Sequence, residues 1–65
     1  MADSRTDTAM PVLLTTREVA EMLRVNRSTV SRWRSTGVGP RVTWLSASIP
    51  RYQRHDVLDW LERVA

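Results

Sequence analysis

A 65-residue chain with no cysteine and a single histidine, His55, cannot be held by disulfides or folded around a zinc cluster. A chain this short buries only about 60% of the surface its unfolded form exposes. Its fold must therefore rest on a small apolar core, helped by well-placed caps and turns. Hydrophobic residues make up 42% of the sequence and include three Trp. That is enough for one small packed domain and richer than a disordered chain. It leaves no room for a large enzyme core. No apolar run approaches the roughly 18 residues of a membrane span, and Met1 to Ala9 lack a signal-peptide stretch, so the expected location is the cytoplasm, with no membrane partner.

Charge is segregated along the chain. All ten basic residues are Arg, and seven of them (Arg24, Arg27, Arg32, Arg34, Arg41, Arg51 and Arg54) fall between Met22 and His55, where there is no Asp or Glu. That window carries +7 and each flank −2, leaving the chain at +3. Seven cations without interspersed acids repel one another unless a polyanion faces them, which points to nucleic acid. The alternative is a solvated basic face.

Residues 1–11 show no hydrophobic period and are expected to form a disordered tail, with one domain over 12–65. Thr15-Thr16-Arg17-Glu18 has the pattern of a capping box, flanked by a Leu14/Val19 staple. The first helix is expected from Thr16 to Arg24, with Val19, Ala20 and Leu23 on its inner face. Val25 follows as a buried turn residue. Asn26 is a second N-cap candidate, opening a helix over Arg27 to Thr36 that turns Val30 and Trp33 inward and closes at Gly37.

After Pro40 the period changes to two. Val42, Trp44 and Leu45 read as a strand, 46–48 as a turn and Ile49 to Tyr52 as the returning strand. Pro50 has no amide to donate and is expected on the unpaired side of an edge strand or at a bulge. A last helix opens near Arg54 and His55, with Val57, Trp60, Leu61 and Val64 as an apolar stripe closing the core. The fold class is mainly α with a small β-hairpin: helix, turn, recognition helix, two-stranded wing and C-terminal helix.

Two short helices joined by a tight turn suit presentation of the second helix to a DNA major groove. Its candidate groove-facing residues are Asn26, Arg27, Ser28, Ser31, Arg32 and Ser35. Arg bonds guanine O6 and N7 bidentately, Ser donates or accepts, and Asn26 with the first-turn amides can bind phosphate. An ordinary solvated helix face is the alternative. Trp33 and Trp60 fall on the apolar stripes and are assigned to the core rather than to base stacking, whereas Trp44 fits either role. Tyr52 is expected to pack its ring under the wing with a wet hydroxyl.

Several segments together resemble the excisionase-type DNA-binding domains, recombination directionality factors of the winged helix-turn-helix group related to MerR regulators. They are Leu14-Thr15-Thr16-Arg17-Glu18-Val19-Ala20, Val25-Asn26-Arg27-Ser28-Thr29-Val30-Ser31-Arg32-Trp33, Gly39-Pro40, Arg51-Tyr52, and Asp56 with Trp60-Leu61. Two positions depart from that pattern. Arg24 stands where Gly is usual in the turn, which carries a steric cost if the backbone there is left-handed. Pro50 stands in the wing.

The resemblance implies that the wing and flanks lie on the DNA backbone and minor groove, a role falling here to Thr16, Arg17, Arg34, Arg41, Ser46, Ser48, Arg51 and Arg54. For Arg51 and Arg54 the alternative is pairing with Asp56 and Asp59. It further implies a protein without cofactor or metal that binds and bends double-stranded attachment-site DNA and steers an integrase toward excision of a phage or mobile element. A small transcriptional regulator of the same fold is the second reading. The length favours the first, since no ligand or dimerisation domain is expected beyond the module. No heptad helix offers a coiled-coil dimer, so self-association along DNA through the wing edge is expected. An enzyme would have to use His55, Asp56 and a Ser, but adjacent residues at a helix start are not expected to face each other, and no phosphate loop, metal spacing or dinucleotide motif is present.

Overall fold

The computed structural model describes residues 13–65, so the tail expected over 1–11 lies outside the described residues. The element order is β1 (Leu13–Leu14), α1 (Thr16–Leu23), α2 (Arg27–Thr36), β2 (Thr43–Ser46), β3 (Ile49–Gln53) and α3 (Arg54–Val64). Three helices pack with a small antiparallel sheet, a mainly helical architecture consistent with a winged helix-turn-helix.

The capping box forms as its residue types dictate. The Glu18 amide donates to Thr15 Oγ1 at 3.1 Å, and the Thr15 amide donates to Glu18 Oε1 at 2.9 Å. Helix α1 ends at Leu23, one residue earlier than expected, because Arg24 turns left-handed at φ 61°, ψ 45°. There the Arg24 amide donates to the Glu21 carbonyl at 3.2 Å and the Val25 amide to the Ala20 carbonyl at 2.9 Å. This paired pattern closes a helix most cheaply when the left-handed residue is Gly. Helix α2 ends in the same way. Gly37 has φ 79°, its amide donates to Arg34 O, and the Val38 amide donates to Trp33 O. The first closure thus carries a strain that the second avoids.

Left-handed backbone costs a non-glycine residue roughly 1–2 kcal/mol, partly offset by the larger entropy glycine loses on folding. Arg24→Gly is expected to stabilise the domain by about 1 kcal/mol, raising its melting temperature by about 4–8 °C. A lower melting temperature in thermal unfolding would show that the Arg24 side chain supplies more than its backbone costs.

The sheet has one strand more than the two-stranded wing read from the sequence. Its order is β1-β3-β2, with Leu13 opposite Gln53 and Leu14 opposite Tyr52. On the other side of β3, Thr43 lies opposite Arg51, Trp44 opposite Pro50 and Ser46 opposite Ile49, with a shift of register between Trp44 and Ser46. Pro50 therefore sits on the central strand. It is tolerated because β1 pairs only with Tyr52 and Gln53, and because the ladder is already irregular next to it. Cross-strand support comes from the Gln53 side-chain amide, which donates to Thr43 Oγ1 at 3.2 Å.

Val19 and Ala20 from α1, Val30 from α2, Tyr52 from β3 and Val57 from α3 form the buried core, with Leu14, Leu23, Trp33 and Val42 packed around it. Trp60 meets Trp33 at a ring-centroid distance of 5.2 Å and a tilt of 46°. Gly39, at φ 89°, lies against the same indole, and a Cβ there would come within 3.0 Å of Trp33 Cβ. Two apolar expectations fail. Val25 lies in the turn and is exposed, although its amide donates to the Ala20 carbonyl in the helix closure. Leu61 and Val64 are also exposed, since α3 packs against β3 and its stripe runs on past the core.

Candidate nucleic-acid interface

Helix α2 stands on α1 through Val30 and turns its other side to solvent. Arg27, Ser28, Arg32 and Ser35 are exposed, and Ser31 is half-buried. Ser28, Arg32 and Ser35 follow one another at i, i+4 and i+7 and so line one row of the helix, with Arg27 and Ser31 in the adjoining row. Asn26 takes the extended N-cap backbone, but its side chain makes no capping hydrogen bond. The Thr29 amide donates to the Asn26 carbonyl at 3.0 Å, which leaves the Arg27 and Ser28 amides and the Asn26 side-chain amide for an external acceptor. The Ser35 hydroxyl donates to Ser31 O at 3.2 Å, so this serine offers acceptor lone pairs to a partner. No acidic residue lies on the helix.

Candidates from the wing and flanks divide into free and engaged groups. Arg41 and Arg54 are exposed. Arg17 is exposed beside Glu21, with Nε 3.6 Å from its carboxylate. Arg51 is half-buried and folds back, its Nη1 donating to Pro50 O at 2.8 Å. Ser46 and Ser48 are exposed at the hairpin turn, where the Ser48 amide donates to Ser46 Oγ at 3.4 Å. Neither Arg51 nor Arg54 pairs with Asp56 or Asp59; among the described residues Arg17 pairs with Glu21, and Asp56 lies instead beside His55.

Arg34 and Thr16 have a structural task that the sequence did not disclose. Arg34 Nη1 donates to Thr16 Oγ1 at 2.9 Å and to the Tyr52 hydroxyl at 3.1 Å. One guanidinium thus ties α2 to the start of α1 and to the central strand, fixing how the helix projects relative to the wing. Tyr52 is 1% exposed, so its hydroxyl is not wet as expected but is satisfied by Arg34. Arg24, noted in the sequence only as a departure in the turn, is exposed there and adds a cation just ahead of α2.

His55 and Asp56 do face each other, with Nε2 3.3 Å from Oδ1, contrary to the expectation for adjacent residues at a helix start. The His55 side chain is 69% exposed, whereas the Asp56 side chain beside it is only 11% exposed. Among the described residues no group of three His, Cys, Asp or Glu is placed to hold a metal ion, and no helix is long and apolar enough to cross a membrane.

The helix pair, its tight turn and the hairpin agree with the comparison against known families, in which a helix-turn-helix domain matches residues 13–65. No curated protein and no solved structure matches the chain. With that match running from β1 through α3 and the outward row of α2 bare of acids, the chain belongs to the helix-turn-helix domain family, whose function is DNA binding.

Proposed function

We propose that the protein is a sequence-specific double-stranded DNA-binding factor of the excisionase type, which loads on attachment-site DNA, bends it and directs an integrase toward excision. The observation that carries the reading is α2, an acid-free helix with Arg27 and Arg32 outward, followed by an Arg-bearing hairpin. The helix-turn-helix family includes excisionase-like proteins, and the segments from Leu14 to Val64 resemble them. In this reading Asn26, Arg27, Ser28, Ser31, Arg32 and Ser35 meet the major groove. Arg17, Arg41, Ser46, Ser48, Arg51 and Arg54 follow the backbone, and Thr16 and Arg34 hold the two sets in register. The free outer edge of β2 suits pairing between protomers loaded side by side.

In vitro recombination tests this function, using an attachment-site DNA and the integrase encoded beside the gene. Added protein is expected to stimulate excision and inhibit integration. No effect on either reaction, together with repression or activation of a nearby promoter, would transfer the function to transcription control.

A phosphate role for Arg51 makes a separate expectation. Arg51→Ala should weaken binding to all duplexes alike and flatten the dependence of log affinity on log salt by about one unit. Equal slopes for variant and wild type would place the Arg51 guanidinium away from the DNA.

A further inference from the structure

The hairpin tip holds three large apolar side chains that no core uses. Trp44 is 53% exposed, Leu45 54% and Ile49 40%. They surround the Ala47-Ser48 turn. The register shift between Trp44 and Ser46 makes Leu45 the extra residue of a bulge, and a bulge breaks the alternation that would send one of two successive side chains to the covered face. The tip also lies inside the acid-free window of the sequence, with Arg41 before β2 and Arg51 on the ladder opposite Thr43.

The geometry points to an apolar wedge: Leu45 and Ile49, backed by Trp44, insert between base pairs from the minor groove and kink the duplex that α2 binds. Charge selects this occupant. Arg41, exposed ahead of β2, and Arg51 on the ladder opposite Thr43 match the phosphates on either side of a groove, in a window of sequence with no acid to pair with them. Width supports the same choice. Paired strands stand about 4.8 Å apart before their side chains are added, so the ribbon overfills a minor groove about 6 Å wide. Partial unstacking of a step opens that groove and bends the duplex toward the major groove, as apolar wedges do in minor-groove architectural proteins. Pyrimidine–purine steps unstack most easily and are the expected place of insertion.

This inference rests on the DNA-binding reading, and the experiment separates the two. A duplex selected from a random pool by the wild-type protein is prepared with 2-aminopurine replacing adenine at successive positions, and its fluorescence is read with wild type and with the double variant Leu45→Ser, Ile49→Ser. Both substitutions lie on the surface, away from the core. The expected result is a severalfold rise at one step with wild type. That rise is lost in the variant, which still protects the α2 footprint. End-to-end energy transfer across the same duplex should show the bend relaxing in parallel.

Selection of no duplex would overturn DNA binding itself. Protection without a fluorescence rise, or a rise that survives in the variant, would overturn the wedge alone. Two further outcomes would reassign the tip and also overturn it: free wild type sedimenting as a dimer that the variant abolishes, or tip-dependent binding to phosphatidylglycerol vesicles in preference to the duplex.

Discussion

Arg27→Ala and Arg32→Ala should each weaken binding to the cognate duplex by about 1–3 kcal/mol, roughly 5- to 150-fold, while leaving the thermal melt unchanged. Both side chains are exposed on α2, so removing them opens no cavity and breaks none of the core contacts that seat the helix. A guanidinium that reads guanine loses two aligned hydrogen bonds on truncation, and the desolvated base edge loses its partner. The loss should therefore be larger at the cognate site than on random duplex, which separates base reading from the uniform weakening expected of Arg51. Titration of labelled duplexes at fixed salt provides the measurement. Unchanged affinity in both variants would remove α2 from the groove.

Local chemistry made much of the fold legible. The bounds of α2 agree with the sequence expectation because both ends are set by adjacent residues, an extended Asn26 and a left-handed Gly37. The capping box of α1 is likewise a four-residue affair. What the sequence leaves hidden is non-local. Strand β1 has only two residues, too few to show a period, and exists through pairing with Tyr52 and Gln53 far along the chain. Arg34 reads as one more surface cation because both its partners, Thr16 and Tyr52, are 18 residues away. The stripe of α3 has correct helical spacing, yet spacing cannot tell where the neighbouring sheet ends, and the core stops short of Leu61 and Val64. In the candidate interface, residue types on α2 were readable from sequence. Which arginines are free and which are already engaged depended on the fold.

Tyr52 is where fold and interface depend on the same side chain, and its two replacements should differ sharply. Among the described residues it is the largest fully buried side chain, on the strand that pairs with both neighbours. Removing a buried aromatic ring costs about 3–5 kcal/mol. A folded unit of 53 residues has only about 3–8 kcal/mol in total at typical stability per residue. Tyr52→Ala should therefore lose most of its helical circular dichroism near physiological temperature and its DNA binding with it. Tyr52→Phe keeps the ring and deletes the oxygen that accepts from Arg34, whose Nη1 retains Thr16. A single hydrogen bond of this kind contributes about 1 kcal/mol, so Tyr52→Phe should stay folded with a modestly lower melting temperature. Since Arg34 also sets how α2 projects relative to the wing, Tyr52→Phe should lose some affinity for the cognate duplex at a temperature where it is fully folded. A cooperative melt of Tyr52→Ala within a few degrees of wild type would show that the domain does not depend on this ring. Wild-type affinity in Tyr52→Phe would show that Thr16 alone is enough to hold Arg34, and through it α2, in place.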